Sequence, residues 1–98
     1  MKVWIKIQRV EREDNQEIIM GICDEDILGF ESGDFKISEY FFKGELIEME
    51  DALKKIDDAT IINIFGKNIV SELIKRKLIE NSSVKEIKKI PHVQIITV

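Results

Sequence analysis

A disulfide framework is excluded at once, because Cys23 is the only cysteine in the chain. One proline and five glycines exclude a collagen-like or linker-like composition. No apolar run approaches the roughly 20 residues that a membrane-spanning helix needs, so no membrane association is expected. An excess of positive charge is also missing. The formal net charge is −4, which excludes a generic basic nucleic-acid coat. The opening Met1-Lys2-Val3-Trp4-Ile5-Lys6 lacks the apolar stretch of a secretory leader, and a cytoplasmic location is expected. Internal repeats, low-complexity tracts and linkers are absent from the pattern.

What is present suffices for a core. Hydrophobic residues make up 44% of 98 residues and charged residues 35%, a composition for one folded domain spanning 1–98. The wealth of Ile, Lys and Glu suits both a life at high temperature and an AT-rich genome.

Periodicity supplies the elements. Residues 2–10 alternate, with Val3, Ile5 and Ile7 on one face and Lys2, Trp4, Lys6 and Gln8 on the other, which predicts a half-buried strand. Glu17 to Cys23 reads as its antiparallel partner across a polar loop longer than a two-residue turn. Asp24 to Gly29 reads as one helical turn, with Asp24 as its cap and Gly29 as its left-handed end. Ser32-Gly33-Asp34 is a turn, and Phe35 to Ser38 a short strand. Met49, Ala52, Leu53 and Ile56 share one helical face. Thr60 to Phe65 is β-branched and apolar, a buried strand with a continued helix as the competing reading. Ile69, Val70, Leu73, Ile74 and Leu78 form a second helical stripe, closed by Asn81-Ser82-Ser83. One or two strands around Pro91 finish the chain. The expected fold is α+β: a two-layer sandwich, mainly antiparallel, with two amphipathic helices on one sheet face and nothing evident to cover the other.

Four short stretches then fall together. They are Cys23-Asp24-Glu25-Asp26-Ile27-Leu28-Gly29, Phe41-Phe42-Lys43-Gly44-Glu45, Ala59-Thr60-Ile61-Ile62-Asn63-Ile64-Phe65-Gly66 and Pro91-His92-Val93-Gln94-Ile95. Their order and spacing resemble the archaeal domain-of-unknown-function 424 family over essentially the whole chain. The resemblance implies no established activity. It implies a protein described at the level of predicted RNA binding. The chain departs from the family pattern at Phe41-Phe42, where Phe-Tyr is usual, and at Val93, where a small residue is usual.

Three constellations carry candidate chemistry. Cys23, Asp24, Asn63, His92 and Gln94 stand at the ends of apolar segments, where sites are commonly built. If they converge, Cys23, His92 and Asn63 would suit a nucleophile, a base and an orienting amide, making a small enzyme or a ligand-binding pocket. The plainer readings are a buried thiol, a capping carboxylate and amides satisfying loop backbone. A zinc site lacks ligands at the usual spacing, so neither a metal nor another cofactor is expected. Second, Gly66-Lys67 opens a helix after a strand, where free N–H groups and the helix dipole favour an anion. The plainer reading is a turn and a cap. Third, Trp4 between Lys2 and Lys6 on an outward strand face offers a base stack flanked by phosphate contacts. The plainer reading there is a core tryptophan. Together these predict a non-catalytic partner of RNA or a ribonucleoprotein, with RNA contacts at Trp4, Lys6 and Lys67 and a polar pocket from Cys23, Asp24, Asn63, Gly66, His92 and Gln94. A protein–protein interaction module is the remaining alternative, and a homodimer stays open.

Overall fold

The alternating start of the chain becomes the longest strand of the sheet. In the computed structural model, which describes residues 1–97, β1 runs Lys2–Arg12 and β2 runs Asn15–Asp24. They pair antiparallel from Val3↔Asp24 to Arg12↔Asn15, so the connection is a two-residue turn, Glu13-Asp14, and not the longer loop the polar run suggests. Glu13 takes a φ of 44°, the left-handed conformation a tight hairpin demands. The chain continues with β3 (Glu31–Ser32), β4 (Phe35–Lys36), α1 (Glu39–Phe42), β5 (Glu45–Glu48) and α2 (Met49–Lys55). It ends with β6 (Ile61–Phe65), α3 (Lys67–Lys75), β7 (Lys85–Ile87) and β8 (Ile90–Ile96). Strand β5 carries no alternation long enough to predict it.

Six strands form one sheet in the order β5-β1-β2-β6-β8-β7. Every pair is antiparallel except β2 with β6. The sheet is α+β in composition and mainly antiparallel, as the periodicity predicts. Val3, Ile5, Met20, Ile22, Ile62, Ile64 and Val93 point to one face, where they bury against Met49 and Ala52 of α2 and Ile69, Val70 and Leu73 of α3.

The opposite face is not left bare. Segment 25–44, expected to hold only a helical turn, a turn and a short strand, folds back across one end of it. Ile37 and Phe42 from this segment bury with Cys23 and Phe65, and Phe30, Phe35 and Trp4 pack around them. Phe65 meets Phe35 at 5.5 Å and Phe42 at 5.7 Å between ring centroids, tilted or edge-on as aromatic pairs prefer. Gly21 makes this covering possible, since a Cβ there would lie 2.8 Å from the Phe41 ring. The cover was illegible because its apolar residues are aromatics in turns, without a period to follow.

Helix α3 stops earlier than its apolar stripe. Lys77 takes a φ of 60°, and the Leu78 N–H donates back to the Leu73 carbonyl at 2.9 Å. The Lys77 N–H donates to the Ile74 carbonyl at 2.9 Å, completing a Schellman end usually signalled by glycine. Leu78 is consequently exposed. The β7–β8 turn is similar: Lys88 and Lys89 both sit at positive φ, 52° and 66°, where Asn-Gly is the common choice.

Candidate functional site

The stretches from the twenties, sixties and nineties do meet. Cys23 pairs with Phe65, and Phe65 with His92, in one row across β2, β6 and β8. The candidate residues nevertheless divide into three groups with different surroundings.

Asp24 and Gly66 form the first group. Asp24 ends β2 and is 3% exposed. It does not cap the turn that follows it, since Glu25–Ile27 has no side-chain cap. Its carboxylate turns instead to α3, accepting from the Asn68 N–H at 2.9 Å and the Ile69 N–H at 3.0 Å. These are second- and third-position amides of the helix, the donors that an N-cap side chain normally satisfies. Gly66 occupies the cap position and offers no side chain of its own. The anion at this helix terminus is therefore supplied by the chain itself. Burial pushes the Asp24 carboxyl above the usual range, while the two N–H groups and Lys67 pull the other way. Lys67 is exposed, and together with Lys89 and Pro91 it lines a recess of about 110 Å³ beside this cap.

Cys23 stands alone in the second group. Its side chain is fully buried in the aromatic cluster. Burial, aided by Asp24 and Asp26, raises the thiol to about 12. Strand β6 lies between it and His92, a separation of roughly two strand spacings, or about 10 Å. Sheet order thus keeps Cys23 and His92 out of hydrogen-bond reach of each other. At pH 8 the thiol is held protonated. Labelling by an aromatic disulfide reagent is expected to proceed only as the protein unfolds. Prompt labelling of native protein would contradict the burial.

His92, Asn63 and Gln94 form the third group, on the face opposite α2 and α3. His92 stacks on Phe65 with ring centroids 4.2 Å apart and planes 20° from parallel. Burial and the neighbouring Lys85 lower its pKa, favouring the neutral ring. Asn63 and Gln94 are direct cross-strand partners. Lys6 occupies the same row, through Lys6↔Gly21, Gly21↔Asn63 and Asn63↔Gln94. Its ammonium donates to the Tyr40 carbonyl and lies 4.6 Å from the centre of the Tyr40 ring. Tyr40, which sequence reasoning passed over, is 78% exposed beside this row.

Trp4 shares the face but not the freedom expected of it. It packs against the aromatic cluster, and the Lys43 ammonium stands 5.9 Å from its ring centre. A ring so flanked is poorly placed to receive a stacked base. Among the described residues no three metal-ligating side chains converge, and no helix is long and apolar enough to cross a membrane.

Comparisons with known proteins agree on the fold. The crystal structure of an uncharacterized conserved protein from Methanopyrus kandleri matches with a TM-score of 0.75 at 28% identity, covering 97% of this chain and 90% of that one. None of the curated proteins matches. The family model described as "Protein of unknown function (DUF424)" matches residues 11–98, and the chain belongs to that family.

Proposed function

We propose that this is a non-catalytic, cytoplasmic RNA-associated binding protein that meets RNA with the sheet face opposite α2 and α3. One observation carries the reading. Three consecutive cross-strand rows occupy the middle of that face, the last of them lying partly beneath segment 25–44. They are Gln8-Ile19-Ile61-Ile96, Lys6-Gly21-Asn63-Gln94 and Leu46-Trp4-Cys23-Phe65-His92-Lys85. Their only charged members are lysines, in a chain whose net charge is −4. The acidic side chains of this face stand outside these rows, Glu17 opposite Val10 at one end and Glu48 opposite Lys2 at the other. A central patch of one sign on a molecule of the other sign attracts an anionic partner despite the total. The lost thiol–imidazole pair removes the main support for catalysis, which leaves binding as the better reading.

Titration of labelled single-stranded RNA at about 50 mM and about 200 mM salt tests this, because phosphate contacts release counterions. Affinity is expected to fall with salt, and each of Lys6→Ala and Lys85→Ala to take about 0.7 off the logarithmic slope. Lys54→Ala on α2, behind the sheet, is expected to leave the slope alone. Lys67 lies around the end of the sheet from this face, so Lys67→Ala is expected to have the smaller effect. Binding without a salt slope, or equal loss from Lys54→Ala, would overturn the proposal.

A further inference from the structure

We infer that the Asn63–Gln94 pair reads an unpaired adenine of a single-stranded RNA. The inference rests on the RNA reading above and assigns the residues that would distinguish one base from another.

Asn63 is a poor strand former set in a run of isoleucines, between Ile62 and Ile64 on an interior strand. Among the described residues, neither Asn63 nor Gln94 makes a side-chain hydrogen bond to another protein group. Neither amide is sealed from water, for Gln94 is exposed and Asn63 half-buried. Direct antiparallel partners place their Cβ atoms roughly 5 Å apart, so the two amides share one small area. Phe41 closes one side of that area, against Gly21 on the next strand. His92 bounds another, two residues along β8 on the same face.

A primary amide carries a donor and an acceptor side by side. That pairing matches the exposed edge of adenine in a bidentate fashion. Guanine is more often taken by arginine and the cytosine amine by a carboxylate, and the three rows hold neither. In duplex RNA the base edges are paired or lie in a groove too narrow for side chains, so the target is single-stranded. The shallow face suits a splayed base better than a helix. Lys6, tied to the Tyr40 carbonyl in the same row, supplies a fixed positive charge for the adjoining phosphate.

The test compares short oligo(A), oligo(U) and oligo(C) RNA and an RNA duplex by fluorescence anisotropy, with wild type, Gln94→Ala and Asn63→Ala/Gln94→Ala. Wild type is expected to favour oligo(A), and the double variant to lose about tenfold on oligo(A) and little on the others. Gln94 is exposed, so Gln94→Ala keeps the test open if the double variant fails to fold. That single variant is expected to lose part of the same preference. Salt-dependent binding by wild type without base preference, or a preference untouched in Gln94→Ala and the double variant, overturns the inference and leaves RNA binding standing. Binding to none of the RNAs overturns both readings.

Discussion

Gly66→Ala is expected to destabilise the protein by about 3 kcal/mol, combining backbone strain with overpacking. Two causes act at this position. Its φ of 127° lies where L-residues are rarely found. A Cβ would also stand 2.4 Å from the Asp24 Cγ, inside any tolerable contact. The carboxylate cannot retreat without releasing the Asn68 and Ile69 N–H groups. For a domain of this length the loss corresponds to a fall in Tm of roughly 12–20 °C. Urea unfolding followed by circular dichroism would measure it. Gly29→Ala is the control. It has a φ of 83° but only the Glu39 Oε1 within reach, at 3.7 Å, so it reports strain without overlap. Its expected cost is about 1 kcal/mol. Equal losses at both positions would show that the close approach of Asp24 contributes nothing.

The contrast between those glycines also explains what could be read from the chain. The strands with a strict period, such as Lys2–Arg12, and the helices with an apolar stripe were legible because burial on one face imposes a period. Asp24 was legible as a cap but not as the cap of α3, because its partner amides lie 44 and 45 residues away. Local spacing carries no sign of such a pairing. Lys77, Lys88 and Lys89 end or turn the chain at positive φ without the usual glycine, so the sequence looked merely basic there. The candidate residues divide into separate groups for a topological reason. Cys23 and His92 do lie in one row, but strand order inserts Phe65 between them. Asn63 and Gln94 were singled out as polar residues in apolar stretches, and the β6–β8 register makes them neighbours. That register depends on the order of strands in the sheet, which no single-strand pattern encodes.

Asp24→Ala is expected to cost about 2–3 kcal/mol, because it leaves two donors at the start of α3 without an acceptor in a buried place. Asp24→Asn should fall between the two, since an amide offers one acceptor oxygen and turns its own donors toward the remaining N–H. The comparison of wild type with Asp24→Asn is expected to change with pH, and the direction is informative. Burial raises the folded-state pKa of Asp24 above the unfolded value, despite the two N–H groups. The folded protein then holds this proton more tightly than the unfolded chain. The corresponding stability is fully present below the unfolded pKa of about 3.8 and is lost as pH rises through the raised folded value. The advantage of wild type over Asp24→Asn should therefore shrink from about pH 3 upward and level off once Asp24 is ionised in both states. An advantage that grows with pH would mean that the helix amides outweigh burial. The alanine variant separates charge from shape. With Asp24→Ala in place, the Cγ and Oδ2 that Gly66→Ala would strike are gone, and what remains is the φ strain and a 2.9 Å approach to the Cβ at position 24. The second substitution should then cost about 2 kcal/mol instead of about 3, more than the strain alone because the Cβ contact persists. Strict additivity in that double-mutant cycle would mean that Gly66 is required for its backbone conformation alone, and that the carboxylate reaches the helix without needing the space a missing side chain provides.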